Sequence, residues 1–239
     1  MFKEAAYNRI ITIGDVHGYL KPVKKLLDKI KPEENDLLIF IGDYIDRGPV
    51  SKDVVDYLIE LSLNNRNIHF LKGNHEDMFL GSIGYDAVVK DFRTWLYNGG
   101  SQTLKSYGMD NDEIMQLTKL WDDSERYRCI MEYVPRSHLN FFIDTKLWFE
   151  SENYFFCHAG MNPYNSVEEG KKNVKDLLWI REHLYYEDYD WEKTVVCGHT
   201  PLQEIMIKDK LICIDTGLYY YGVLSAIDVL SREVYQVSI

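Results

Sequence analysis

Arg9-Ile10-Ile11-Thr12-Ile13-Gly14-Asp15-Val16-His17-Gly18 is a β-branched run that stops at a glycine and is followed at once by a carboxylate and an imidazole. β-Branched residues favour strands, and glycine permits the sharp turn that ends one. The pattern recurs. Leu37–Ile41 is closed by Gly42-Asp43-Tyr44-Ile45-Asp46-Arg47-Gly48, and Ile68–Lys72 by Gly73-Asn74-His75-Glu76. Tyr154–Cys157 leads into His158-Ala159-Gly160, and Thr194–Cys197 into Gly198-His199-Thr200. Between the first three runs, Val23, Leu26, Leu27 and Ile30 fall on one helical face. Val54, Val55, Leu58, Ile59 and Leu63 make a second such face, with Ser51 placed to cap its helix. Three strands joined by two helical crossovers predict neighbouring parallel strands in an α/β sheet.

Outward from that frame, residues 77–140 change character. Helix formers and aromatics dominate (Phe92, Trp95, Leu96, Tyr97; Ile114, Leu117, Leu120, Trp121), with a break at Asn98-Gly99-Gly100. This reads as a helical insertion covering one edge of a single domain spanning residues 1–239. A helix is expected over Val174–Leu184. The strands Leu211–Ile214, Val223–Asp228 and Val234–Ile239 are spaced closely enough to suggest antiparallel meanders.

The chain has 239 residues, 46 % of them hydrophobic and 27 % charged, as expected of a globular chain and not a disordered one. Its 27 Lys and Arg against 38 Asp and Glu give a net charge of −11, the wrong sign for binding nucleic acid or an anionic membrane. The first residues show no apolar signal core, and no run approaches a membrane span. Four cysteines without a C-x-x-C pair (Cys129, Cys157, Cys197, Cys213) read as reduced thiols. A cytoplasmic location is therefore expected, and the oligomeric state is left open.

Each polar cluster ends a strand, and the carboxyl ends of strands in an open α/β sheet converge on one rim where ligands bind. Asp, His, Asp, Asn, His and His delivered to one rim form a ligand set for divalent cations such as Mn²⁺, Fe²⁺ or Zn²⁺, without thiolates. Two carboxylates and three imidazoles are too many for one open ion and suit two. Two-metal sites about 3.5–4 Å apart are a recurrent solution for phosphoester displacement.

With these five motifs in order, the chain resembles the calcineurin-like metallophosphoesterases, and specifically the bacterial and phage branch of the PPP-type serine/threonine protein phosphatases. The resemblance extends to Trp95-Leu96-Tyr97-Asn98-Gly99-Gly100, Leu177-Leu178-Trp179-Ile180-Arg181 and Asp215-Thr216-Gly217, and so covers nearly the whole chain. It implies an α/β (α+β) fold of two mixed β-sheets packed as a sandwich with flanking helices. It also implies a phosphatase with two divalent ions, Mn²⁺ foremost, acting on phosphoserine- or phosphothreonine-type esters by direct attack of a metal-bridging hydroxide. Asp15, His17 and Asp43 would hold one ion; Asp43, Asn74, His158 and His199 would hold the other. Asp46 would orient His75 as general acid, and Arg47 and Arg181 would clamp the phosphoryl oxygens. The substrate would be a phosphoprotein or a small phosphoester.

Other readings compete. A dinucleoside polyphosphate (symmetrical diadenosine tetraphosphate) hydrolase comes from a sister branch, which usually replaces the acid of the second motif with a small residue and ends the third in Asp. Here Asp46 and Glu76 stand in those places. A phosphodiesterase would end Gly-His-x-His, where this chain has Gly198-His199-Thr200-Pro201. A scaffold that had lost its ligands is disfavoured because all six are present. His69, His138 and His183 read as structural, Cys157 and Cys197 as small hydrophobes. Glu76 reads as a helix-start residue or a hydrogen bonder behind the ligands. Tyr185, Tyr186, Tyr189 and Trp191 read as surface packing, while Tyr219-Tyr220-Tyr221 fits either a groove lining or an aromatic turn. Arg93, Arg126, Arg128 and Arg136 compete with Arg181 for the second clamp.

Overall fold

A computed structural model describes residues 1–239. The first sheet is built from β1 (Arg9–Ile13), β2 (Asp36–Phe40) and β3 (Ile68–Phe70), parallel and adjacent as the crossovers require. The crossovers are α1 (Leu20–Ile30) and α2 (Ser51–Asn64). From Asn74 to Asp144 the chain is helical: α3 (Asn74–Ser82), α4 (Phe92–Trp95), α5 (Ser101–Ser106), α6 (Asn111–Leu117), α7 (Asp123–Met131) and α8 (Arg136–Asp144).

The second sheet contains β4 (Trp148–Glu150), β5 (Tyr154–Cys157), β6 (Thr194–Cys197), β7 (Met206–Ile207) and β8 (Leu211–Cys213), with α9 (Val167–Gly170) and α10 (Val174–Trp179) between β5 and β6. After α11 (Leu218–Tyr221), β9 (Val223–Asp228) and β10 (Val234–Ser238) return to the first sheet. The strand orders are β10-β9-β1-β2-β3 and β4-β5-β6-β8-β7, both mixed.

Alternation along the strands sets the layers. Ile10, Leu37, Ile39 and Ile227 from one sheet meet Phe156, Val196 and Ile212 from the other, in a core with no solvent exposure. Their strand neighbours Ile11, Ile13, Leu38 and Phe40 face the first helical layer. Phe155, Cys157, Val195 and Cys197 face the layer that includes Leu177 of α10. The result is two sheets sandwiched between helices, as the fold resemblance implies. No helix is long and apolar enough to cross a membrane.

Four local expectations are corrected. The last three strands do not form one meander. Only β9 and β10 pair antiparallel, whereas β8 lies parallel to β6 in the other sheet. Ser51 does not cap α2; it is the helix's first residue, and its hydroxyl accepts the Asp46 N–H at 3.1 Å. The helix expected over Val174–Leu184 ends at Trp179, and a 3₁₀ turn resumes at Glu182. Trp191 is core and not surface, with its indole N–H donating to the Asn162 carbonyl.

Candidate metal centre and phosphoryl site

The carboxyl ends of β1, β2, β3, β5, β6 and β8 point to one rim, and the polar clusters meet there. The loops are stitched by their own backbone: Val16 and His17 N–H donate to the Asp43 carbonyl at 3.0 and 2.8 Å, and Gly48 N–H donates to the His17 carbonyl at 2.9 Å. The approach is close enough to require glycine at position 73, where a Cβ would lie 2.0 Å from Asp43 Oδ1. His17, Asp43, Asp46, Arg47 and His199 all hold positive φ, between 45° and 70°. Such backbone is disfavoured for residues other than glycine. Its concentration here means that the surrounding structure holds these side chains where they are.

Glu76 fastens the floor. Its carboxylate accepts the N–H groups of Asp43 (2.9 Å), Tyr44 (2.8 Å), Ile45 (3.3 Å) and Gly73 (3.0 Å). It thereby joins the second and third motifs behind Asp43 and closes the first turn of α3, which presents Asn74 and His75.

The donor set fits divalent cations on its own geometry. His17 Nδ1 faces the Ile45 carbonyl at 3.1 Å and His158 Nδ1 faces the Ile41 carbonyl at 2.9 Å. A carbonyl only accepts, so each Nδ1 carries the proton and each neutral ring turns its Nε2 lone pair inward. His17 Nε2 meets Asp43 Oδ2 at 3.5 Å. His158 Nε2 lies 3.5 Å from Asp43 Oδ1, 2.8 Å from Asn74 Oδ1 and 3.2 Å from His199 Nδ1. His199 Nδ1 also lies 2.9 Å from Asn74 Oδ1, and His199 Nε2 is buried without a partner. So many nitrogen and oxygen donors converging on one point suit a bound cation.

The electrostatics agree. Burial, opposed by Asp43, pushes His17 down to about 3, and burial also lowers His158 and His199, keeping the rings neutral as ligation requires. Burial and then the charges of Asp215 and Asp43 push Asp15 well above the usual carboxylate range. Burial would raise Asp43 too, but the charge that the surrounding histidines carry when protonated outweighs it and holds its carboxyl low. Ligand atoms of His17, Asp43 and His75 form one group within 4.8 Å, and those of Asp43, His158 and His199 a second, with Asp43 common to both. Asp15 stands beside them, its carboxylate accepting the His199 N–H at 3.1 Å.

Next to this cluster, Asp46 Oδ2 accepts from His75 Nδ1 at 2.6 Å and from Trp95 Nε1 at 2.9 Å, while Oδ1 accepts from the Thr103 hydroxyl at 2.6 Å. Burial alone would lower His75, but Asp43 and Asp46 prevail and raise it. Arg47 donates to Asn98 Oδ1 at 3.1 Å, with Gly99 (φ 113°) packed on its backbone. Arg181 is exposed and donates to the Thr200 hydroxyl at 3.3 Å, one residue from His199.

The structure thus brings Asp15, His17, Asp43, Asp46, Arg47, Asn74, His75, His158 and His199 onto one rim, with Arg181 at its edge. Arg126 is committed elsewhere, to the carbonyls of Ser82 and Leu120. His138 lies between Tyr107 and Asp56, and His183 is buried against Trp191 and Cys197. Trp95 and Thr103, which hold Asp46, and Asp215, which burial pushes up to about 7 beside the other carboxylates, are absent from the sequence-derived site. The Trp95–Gly100 and Asp-Thr-Gly motifs signal Trp95 and Asp215, and Thr103 has no sequence signal.

The profile of the calcineurin-like phosphoesterases matches residues 8–213. The chain belongs to this family and is a hydrolase of phosphoric esters that uses divalent metal ions. Its curated relatives include proteins with two activities. The chain is 24 % identical over 238 residues to the asymmetrical bis(5'-nucleosyl)-tetraphosphatase of Bacillus mycoides, covering 90 % of this chain and 88 % of that one. It is 27 % identical over 228 residues to serine/threonine-protein phosphatase 1 of Salmonella typhimurium, covering 92 % and 91 %. The fold is shared with the crystal structure of a candidate diadenosine tetraphosphatase (TM-score 0.66, 18 % identity, 99 % and 96 % covered). It is shared also with a serine/threonine phosphatase of Saccharomyces cerevisiae (TM-score 0.57, 15 % identity, 97 % and 80 % covered).

Proposed function

We propose that this chain is a phosphomonoesterase acting, as a single cytoplasmic domain, on serine- or threonine-type phosphate esters. Asp15, His17 and Asp43 would hold one divalent ion, and Asp43, Asn74, His158 and His199 a second. Mn²⁺ is the first choice, with Fe²⁺ or Zn²⁺ compatible with the same oxygen and imidazole donors. The bound ions supply Lewis acidity and activate a water as nucleophile. Arg47 and Arg181 grip the phosphoryl oxygens, for which a guanidinium fork is suited. His75 gives its proton to the departing oxygen, and Asp46 keeps the imidazole protonated and aimed.

The observation that carries the substrate assignment is the Asp46–His75 contact at 2.6 Å, with Asp46 also held by Trp95 and Thr103. A serine alkoxide is a very poor leaving group and needs a proton. A nucleotide leaving from an anhydride does not, so a buttressed acid would be surplus there. A second reading, dinucleoside polyphosphate hydrolysis, is favoured by the activity of the Bacillus relative.

Turnover of a phosphoserine peptide, diadenosine tetraphosphate and bis-p-nitrophenyl phosphate in Mn²⁺ separates the readings. The proposal expects kcat/KM highest for the peptide. A preference for the dinucleotide would establish the second reading, and a preference for the diester would remove both.

A further inference from the structure

We propose that Tyr219 is the positioning residue for Arg47, holding its guanidinium in the orientation that grips the phosphoryl group. This rests on the reading of Arg47 as a phosphoryl clamp. Arg47 is incompletely held by hydrogen bonds: Nη2 has Asn98, whereas Nε is buried without a partner. Its main chain is fixed at φ 66° and packed by Gly99, so the freedom left lies in the side chain.

Tyr219 removes that freedom. The Arg47 Cζ sits 5.1 Å from the Tyr219 ring centroid, within cation–π range. The same ring makes a T-shaped contact with the His17 imidazole, with centroids 5.2 Å apart and planes at 78°. The ring therefore contacts both the clamp and a histidine of the rim.

Its mount is stiff. Tyr219 rides on the single turn of α11, bounded by Gly217 (φ 63°) and Gly222 (φ 76°). Gly217 N–H donates to Asp215 Oδ1 at 2.8 Å, and Thr216 Oγ1 is 2.6 Å from Ser225 Oγ. Tyr220 and Tyr221 are exposed, which leaves Tyr219 as the member of the triplet that faces the site.

The test measures KM and kcat for p-nitrophenyl phosphate, Ki for inorganic phosphate and metal content. It compares wild type, Tyr219→Leu, Tyr219→Phe, Arg47→Ala and the Arg47→Ala/Tyr219→Leu double variant. Tyr219→Leu is expected to raise KM and Ki by about 3- to 20-fold with a smaller change in kcat, the range of one partly desolvated cation–π contact. Tyr219→Phe, which keeps the ring, should restore Ki to within about twofold. In the Arg47→Ala background the leucine substitution should add nothing. Unchanged Ki in Tyr219→Leu, an undiminished effect without Arg47, or loss of metal would overturn the inference while leaving the clamp intact. Unchanged Ki in Arg47→Ala would instead overturn the clamp reading on which it rests.

Discussion

Replacing Asp46 by Asn exchanges a carboxylate for an amide of the same shape at the point where His75, Trp95 and Thr103 meet. The asparagine oxygen can still accept from His75 Nδ1 and Trp95 Nε1, now 2.6 and 2.9 Å from Oδ2, while its amide faces the Thr103 hydroxyl, which can turn to accept. The fold and the metals should therefore stay. What is lost is the charge. A hydrogen bond to a charged group contributes about 1.5–3 kcal/mol and a neutral one about 0.5–1.5, so roughly 1–2 kcal/mol of support for the imidazolium disappears. If His75 protonates the leaving oxygen, that support appears in the barrier, where about 1.4 kcal/mol is tenfold. The kcat for a phosphoserine peptide should fall about 5- to 30-fold. The kcat for p-nitrophenyl phosphate, whose leaving group needs no proton, should stay within about threefold. His75→Ala should show the same bias more strongly, about 10²–10⁴-fold on the peptide. Equal slowing of both substrates, or loss of metal in either variant, would show that His75 is a ligand and not the acid. Its place within 4.8 Å of His17 and Asp43 makes that the serious alternative.

Asp43→Asn should lower kcat and metal content more than Asn74→Ala, because Asp43 belongs to both ligand groups; the reverse order by activity and elemental analysis would contradict the shared role. Glu76→Ala leaves four buried N–H groups without their acceptor, and denaturant unfolding should show a loss of about 3 kcal/mol or more; a loss under 1 kcal/mol would argue that Glu76 is replaceable by water. Burial holds His183 at about 4, against 6.5 once unfolded, so between these values the unfolded chain binds more protons and stability rises with pH. Lowering pH from 8 to 5 should cost about 2 kcal/mol through this residue, and His183→Leu should show a correspondingly smaller loss; an identical pH dependence would refute it.

Much of the rim is legible in sequence because its signals are local. Each side chain sits within a few residues of a strand's end, and the chain direction of parallel strands delivers Asp15, Asp43, Asn74, His158 and His199 to one side. The supports of Asp46 are a different matter. Trp95 and Thr103 lie 49 and 57 residues away, and only the packing of α4 and α5 against the second motif brings them in. Ser51 illustrates the same limit: sequence offers a helix cap, but tertiary structure gives its hydroxyl to the Asp46 N–H. The strands β4 and β7, three and two residues long, are too short for periodicity to register. The passage from β8 to β9 changes sheets because Ile212 and Ile227 lie on opposite sides of one apolar interface, a choice that spacing alone cannot make. Trp191 sits among acids and tyrosines in sequence, yet its ring completes the core around Val195 and Cys197.

The central proposal is a pair of divalent ions sharing Asp43. Titrating chelated protein with Mn²⁺ and following both bound metal and the electron paramagnetic resonance spectrum tests it most directly. Two equivalents should bind per chain, with activity rising alongside an exchange-coupled signal that Asp43→Asn abolishes. Saturation at one equivalent with an uncoupled six-line spectrum and full turnover would contradict it.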